Sequence, residues 1–240
     1  MKPHTYAIEH DVSATHWWFS GRRAVLAALL DGLPLPRPAR ILDAGCGTGS
    51  NLPVLVDRGA VVGVDAGAAP LGFAGAVPKA RARLESLPFG DGSFDLVTAL
   101  DILEHLDDDV AGARELARVV RPGGWLVVFV PAFRFLWSLQ DEVSEHRRRY
   151  TRSGLVATLE RAGLAVQRSS YFNTLLFPPI LLGRLALRIR RPAITSENVL
   201  THPILDRLLG RIFAAEGPLL GHLNLPFGVS AMAIAQRAPT

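Results

Sequence analysis

Ile41-Leu42-Asp43-Ala44-Gly45-Cys46-Gly47-Thr48-Gly49-Ser50 is the stretch on which the reading of this chain turns. A short apolar run enters three glycines spaced two apart, and Val61-Val62-Gly63-Val64-Asp65 follows. The first run reads as a buried strand, and the glycines as a tight turn that lets a ligand approach the backbone closely. Asp65 ends the second strand, 20 residues after Gly45, where a carboxylate can accept from both hydroxyls of a ribose. A glycine pattern alone is a weak signal; the second strand with its terminal acid strengthens it.

Outward from this stretch, strands alternate with helical segments. Arg40 to Ala44, Val61 to Asp65, Phe94 to Leu100 and Trp125 to Val130 read as buried parallel strands. Helical spacing predicts helices over Gly21 to Asp31, Val110 to Val120 and Thr151 to Gly163, the last with Thr151 as N-cap. Arg121-Pro122-Gly123-Gly124 reads as a sharp turn, and Val229 to Ala235 as a final strand. The alternation predicts an α/β, doubly wound sheet. The expected division is a helical cap and linker over 1–38, a cofactor-binding core over 39–174, a lid or substrate insertion over 175–221, and a last core strand over 222–240.

Composition narrows the class. The 240 residues are 49% hydrophobic and 20% charged, which excludes intrinsic disorder. Cys46 is the one cysteine, so a disulfide framework and a multi-cysteine zinc site are excluded. The apolar stretch Leu175 to Leu187 is broken by Pro178, Pro179 and Arg184, so no membrane-spanning helix is expected. The polar N-terminus is unlike a signal peptide, and a cytoplasmic protein is the expectation. The net charge is +4, yet only Lys2 and Lys79 of the 26 basic residues are lysine, and no aromatic interleaving accompanies them. Arg147-Arg148-Arg149 and Arg188, Arg190 and Arg191 are read as solvated faces or anion contacts rather than a nucleic-acid surface.

Asp43 selects the ligand. A pyrophosphate over the turn would be repelled by this carboxylate, whereas S-adenosylmethionine brings an ammonium and a sulfonium. At ~4 Å and an effective dielectric near 20 the sign of that interaction is worth roughly 4 kcal/mol before screening.

Together with Leu87-Pro88-Phe89, Ser93-Phe94-Asp95-Leu96-Val97 and the Arg121 turn, these motifs resemble the class I S-adenosylmethionine-dependent methyltransferases, in the group called type 11. The resemblance spans about residues 15 to 170. It implies a Rossmann-like seven-stranded sheet whose last strand is antiparallel, and cofactor contacts at Asp43, Gly45, Cys46, Gly47, Gly49 and Asp65. Relatives place an adenine-binding aspartate where this chain has Arg83, so the backbone from Leu84 to Leu87 is the substitute adenine contact. Ala99-Leu100-Asp101-Ile102-Leu103-Glu104-His105-Leu106, Glu145-His146 and Trp17-Trp18 are similar to segments of the ubiquinone-pathway O-methyltransferases. That likeness implies a methionine contact at Arg23, further cofactor contacts at Leu100 and Asp101, and a divalent cation (magnesium or zinc) on Asp101, Glu104, His105 and His146.

On a helical turn Asp101, Glu104 and His105 would share one face. Three readings stay open for them: a metal site, a metal-free acid/base group with His146 as general base, or a helix N-cap with surface polarity. The expected activity is O-methylation of a small hydrophobic acceptor bearing a hydroxyl, favoured by the mean hydropathy of +0.23. RNA, sugar or carbon acceptors and a catalytically silent cofactor-binding protein are the alternatives. The arginine–leucine pattern of residues 181–191 suits a lid helix, or peripheral contact with an anionic membrane.

Overall fold

The computed structural model describes residues 3–75, 77–190 and 202–239. Its centre is a seven-stranded sheet of order β3-β2-β1-β4-β5-β7-β6. The strands are β1 (Ala39–Ala44), β2 (Gly59–Asp65), β3 (Lys79–Arg81), β4 (Phe94–Leu100), β5 (Val120–Pro131), β6 (Leu164–Phe172) and β7 (Ser230–Arg237). The first five run parallel, and β7 lies antiparallel between β5 and β6. The expected sheet and its reversed last strand are both present.

Period-two alternation makes each central strand apolar on both faces. Leu42, Val97 and Val128 point to one side, beneath α5 (Asp109–Val119) and α7 (Arg152–Arg161). Ile41, Leu96, Val127 and Phe129 point to the other, beneath α2 (Trp17–Asp31) and α3 (Leu52–Val56). Thr151 caps α7 as expected, accepting from Gly154 N. The Arg121 to Gly124 segment lies within β5 and is looped out of its pairing with β4, because Phe94 faces Val120 while Leu96 faces Trp125. Two strands escaped the sequence reading: β3 is only three residues long, and β6 sits at a sheet edge with much of one side exposed.

The N-terminal part is more extensive than expected. Helix α1 (Pro3–Ser13) precedes α2, and α2 begins four residues before Gly21 because His16 caps it, accepting from Trp18 N. The segment expected to be a lid forms α8 (Phe177–Arg190), α9 (Pro203–Ala214) and α10 (Glu216–Leu220). Helices α9 and α10 pack on α2, so cap and insertion form one layer over the sheet. The side chains of residues 187–190, and Arg191 altogether, lie outside the described residues, and with them the Arg188, Arg190 and Arg191 cluster. No helix among the described residues is long and apolar enough to cross a membrane.

The α2–α9 contact depends on Gly21. A Cβ at this position would sit 2.4 Å from the buried Phe213 ring. In an open helix, glycine to alanine stabilises by about 1 kcal/mol. Here overpacking should reverse the sign, so Gly21→Ala is expected to destabilise by roughly 1–3 kcal/mol, read as a lower denaturant midpoint at unchanged slope.

Candidate active site

Strand β1 runs into the glycine turn, where Gly45 and Gly47 adopt φ of 76° and 53°. Only glycine takes these values without strain. Gly45 and Cys46 donate their N–H groups to Val64 O, tying the turn to β2. Asp65 holds two loops at once: Oδ2 accepts from Gly47 N at 3.1 Å and Oδ1 from Gly67 N at 2.8 Å. Its carboxylate therefore stands fixed at the mouth of a cavity of about 510 Å³, within the range of small-molecule sites.

Gly45, Cys46, Gly47 and Asp65 lie on the cavity wall, as do Leu100, Asp101, His105 and His146 from across it. Arg23, Asp43, Gly49 and Leu87 are not on that wall. Arg23 instead donates to the carbonyls of Ser13, Ala14 and Ser50. Leu87 is held through its backbone by Glu115 and Arg118. Asp43 is buried beneath the turn, with Oδ1 accepting from Thr98 Oγ1 at 2.7 Å and Oδ2 unpartnered. Burial, opposed by the Thr98 bond, raises its carboxyl to about 6. Burial first, and the charges of Asp43 and Asp65 after it, push the Cys46 thiol up to about 12, which leaves it a packing residue.

The segment after β4 departs from expectation. Asp101 has a left-handed φ of 57°, and the next turn is a short 3-10 helix, Leu103–His105, so the three side chains do not share an α-helical face. Asp101 instead pairs with Arg22 at 2.5 Å. It is no N-cap either: Asp108 caps α5. Glu104, His105 and His146 do converge, with ligand atoms all within 4.8 Å of one another. Both Glu104 carboxyl oxygens are buried and unpartnered. Burial, then the nearby charge of Asp101, holds this carboxyl well above the usual range. Burial and the neighbouring His146 lower His105 to about 3. A buried acid lacking a donor, beside a neutral imidazole, suits a divalent cation or the donor group of a ligand. Asp101 does not join that set.

Of the run Arg147-Arg148-Arg149 only Arg147 is exposed, and all three are tied to other parts of the chain. Arg147 donates to the carbonyl of His105 and pairs with Asp107. Arg148 donates to the carbonyls of Leu106 and Asp107, and Arg149 grips Asp141. Arg147 and Arg148 strap the segment carrying His146 onto the turn carrying Glu104 and His105, and Arg149 ties it to α6 (Leu139–Ser144).

Sequence reasoning missed Arg22, Asp141 and, from α1, Tyr6 and Glu9, all on the cavity wall. Arg22 was legible: Trp18, Arg22, Val25, Leu26 and Leu29 follow one helical stripe, so Arg22 points inward with them. Its guanidinium lies 5.1 to 5.8 Å from the rings of Trp18, Phe129 and Phe172. Trp17 and Trp18 pack on Phe213 and line the cavity.

Residues 42–128 match the methyltransferase domain family. The chain carries a methyltransferase domain over these residues. A demethylmenaquinone methyltransferase of Mycolicibacterium vanbaalenii is 41% identical over 104 residues, covering 42% of this chain and 46% of that one. A ubiquinone biosynthesis O-methyltransferase of Aeromonas salmonicida is 30% identical over 162 residues, covering 55% and 65%. The methyltransferase thus spans about half to two thirds of the length of these curated relatives. Among solved structures, a proposed methyltransferase of Haloferax volcanii, in complex with the Trm112 activator, aligns at a TM-score of 0.65 and 16% identity, covering 99% and 96%. A cyclase aligns at 0.60 and 21% identity, covering 92% and 82%. At these identities the likeness is one of fold.

The buried Asp43 makes a stability prediction for the ligand-free methyltransferase. Its folded-state pKa is raised to about 6, above the unfolded value. The folded state therefore binds the proton more tightly, and stability is lost as pH rises through that interval. Asp43→Asn should match the wild type below pH ~4 and exceed it above pH ~6, by at most about 3 kcal/mol. Urea unfolding at a series of pH values reads the gap; a gap independent of pH would contradict the assignment.

Proposed function

We propose that this methyltransferase acts on a hydroxyl group of a small apolar acceptor. One observation carries the reading: a single cavity places the glycine turn and Asp65 opposite His105 and His146, with the unpartnered Glu104 behind them. The turn fits S-adenosylmethionine, since its glycines leave the backbone bare and Asp65 stands where a ribose would lie. When bound, that cofactor supplies an electrophilic methyl group on a positive sulfur. In this reading Asp65 holds the ribose hydroxyls. Asp43 acts on the ammonium by its charge from beneath the turn, and Leu100 packs near the ribose. Arg22 takes the place expected of Arg23 at the methionine end.

The remaining chemistry belongs to the acceptor side. The acceptor oxygen must lie in line with the methyl–sulfur bond, and positioning supplies much of the acceleration. The Nε2 atom of His146 would accept the proton of the acceptor hydroxyl, and the bound cofactor would supply the methyl group. Glu104 and His105 lie beside that ring. A second reading rests on the same cluster: Glu104, His105 and His146 would hold a divalent cation, which would lower the pKa of the hydroxyl.

The named relatives support a phenol-like or quinone-like acceptor. Helix α8 supports the apolar class, since Ile180 and Gly183 contribute to the wall; residues 175–221 are then the substrate segment. We further propose a cytoplasmic protein in peripheral contact with anionic lipid. Leu182, Leu185, Ile204, Leu205 and Leu208 are exposed large apolar side chains. Arg207 and Arg211 are exposed beside them, while the described acids of this segment, Asp206 and Glu216, are buried.

Two measurements test this function. Asp65→Ala should weaken cofactor binding by roughly 1.5–3 kcal/mol, the range of a charge-assisted hydrogen bond; calorimetry showing unchanged affinity would displace the cofactor from this turn. Turnover of catechols, quinols and short RNAs should be compared with and without chelator, the apolar acceptors also being offered in anionic vesicles. Catechol or quinol turnover, faster on vesicles, is expected. Preference for RNA would overturn the acceptor class, and chelator-insensitive turnover would remove the cation.

A further inference from the structure

Asp141 is more heavily bonded than its place in a short helix requires. It lies in α6 (Leu139–Ser144) and is fully buried. Its Oδ2 atom accepts from Ser138 N at 2.7 Å and Ser138 Oγ at 3.2 Å, which completes a capping box. Three further donors have no part in that cap. His146 Nδ1 approaches Oδ1 at 2.8 Å, Arg149 Nε donates to Oδ1 at 2.7 Å, and Arg149 Nη2 donates to Oδ2 at 2.9 Å.

The backbone aims the imidazole at this carboxylate. Glu145 takes a left-handed φ of 58°, and His146 N closes the return by donating to Asp141 O at 2.9 Å. The ring edge is then fixed between two acids: Nδ1 against Asp141, and Nε2 3.8 Å from Glu104 Oε1 at the cavity wall. An ionised carboxylate only accepts, so the nitrogen facing Asp141 must carry the proton. The nitrogen facing the cavity is left with its lone pair.

We propose that Asp141 is the positioning residue of the acceptor site, holding His146 in the Nδ1–H tautomer so that Nε2 is presented to the acceptor hydroxyl. This rests on the reading of function given above. Arg149 makes the device stable, since its two-point grip stops the carboxylate from rotating away from the ring. The Arg149 guanidinium and both Ser138 donors face the carboxylate oxygens, a set of donors that only an ionised carboxylate accepts in full. Asp141 therefore stays charged and takes no proton itself; its work is orientation.

The test uses the full chain, labelled with ¹⁵N-histidine and kept in chelator so that no metal competes for the ring. The His146 signals, assigned by their loss in His146→Gln, should show the Nδ1–H tautomer in the wild type. In Asp141→Asn the amide would donate to Nδ1, and the ring should switch to Nε2–H. The same variant should lose about 10²- to 10⁴-fold in kcat, the range for a general base, with the KM for S-adenosylmethionine within about twofold. Ser138→Ala, which removes the cap and the Oγ bond to Asp141 but leaves the grip of Arg149, should keep both the tautomer and kcat. A wild-type ring in the Nε2–H form would overturn the proposal even if Asp141→Asn failed to fold. So would an Asn variant whose ring does not switch, one whose ring switches without loss of kcat, or a Ser138→Ala defect equal to that of Asp141→Asn. The ring measurement needs no acceptor. A wrong acceptor class therefore shows as absent turnover with the ring signature intact, and a wrong role for Asp141 shows in the signature itself.

Discussion

Between Gly45 and Ile102 there is no room for a side chain: a Cβ on the glycine would stand 2.8 Å from the isoleucine. That contact is where the two halves of the methyltransferase meet. Strands β1 and β4 are neighbours in parallel register, with Ala44 opposite Ala99, so their following turns leave the sheet at one edge. The chain runs outward from β1 to β2 and β3, then returns to the other side of β1 as β4. A crevice at such a reversal is the general binding place of open α/β sheets. Here it sets the bare glycine turn against the turn that carries Asp101, Glu104 and His105, and the close approach of Ile102 holds the two in contact.

The second turn cannot hold its own shape. It is a single 3-10 helix with a left-handed residue before it, and such short elements have few internal bonds. Arg147 and Arg148 supply the missing ones by donating to the carbonyls of His105, Leu106 and Asp107. The same strand of chain brings His146 to Glu104. A basic run that reads in sequence as surface charge thus also serves as scaffolding, although Arg147 itself stays exposed.

What the sequence made legible follows from what its patterns encode. Strands β1, β4 and the glycine turn were readable because apolar runs and glycine spacing report local backbone conformation. Short β3 and half-exposed β6 carry too little of that signal. The acid and histidine residues were identified by type, but their grouping was not. Helical spacing placed Asp101 with Glu104 and His105, whereas its positive φ turns it to Arg22. Asp141 left no trace at all, because its role rests on meeting His146 and Arg149 in space. Arg22 and Arg23 differ by one position, and the apolar stripe of α2, once started at Trp17, separates them.

The fold by itself does not choose the reaction, since a cyclase shares it at a TM-score of 0.60. What distinguishes this chain is its distribution of buried charge. Asp65 and Asp101 already have protein partners, a pair of backbone N–H groups for one and Arg22 for the other. Asp43 keeps one oxygen unpartnered and Glu104 both, each fully buried and each raised above the ordinary carboxylate range. A buried acid without a donor destabilises a fold, and such groups cluster where a ligand completes them. The two lie on opposite sides of the same crevice, one beneath the cofactor turn and one behind the histidines. The arrangement therefore calls for positive charge in one place and a donor or cation in the other.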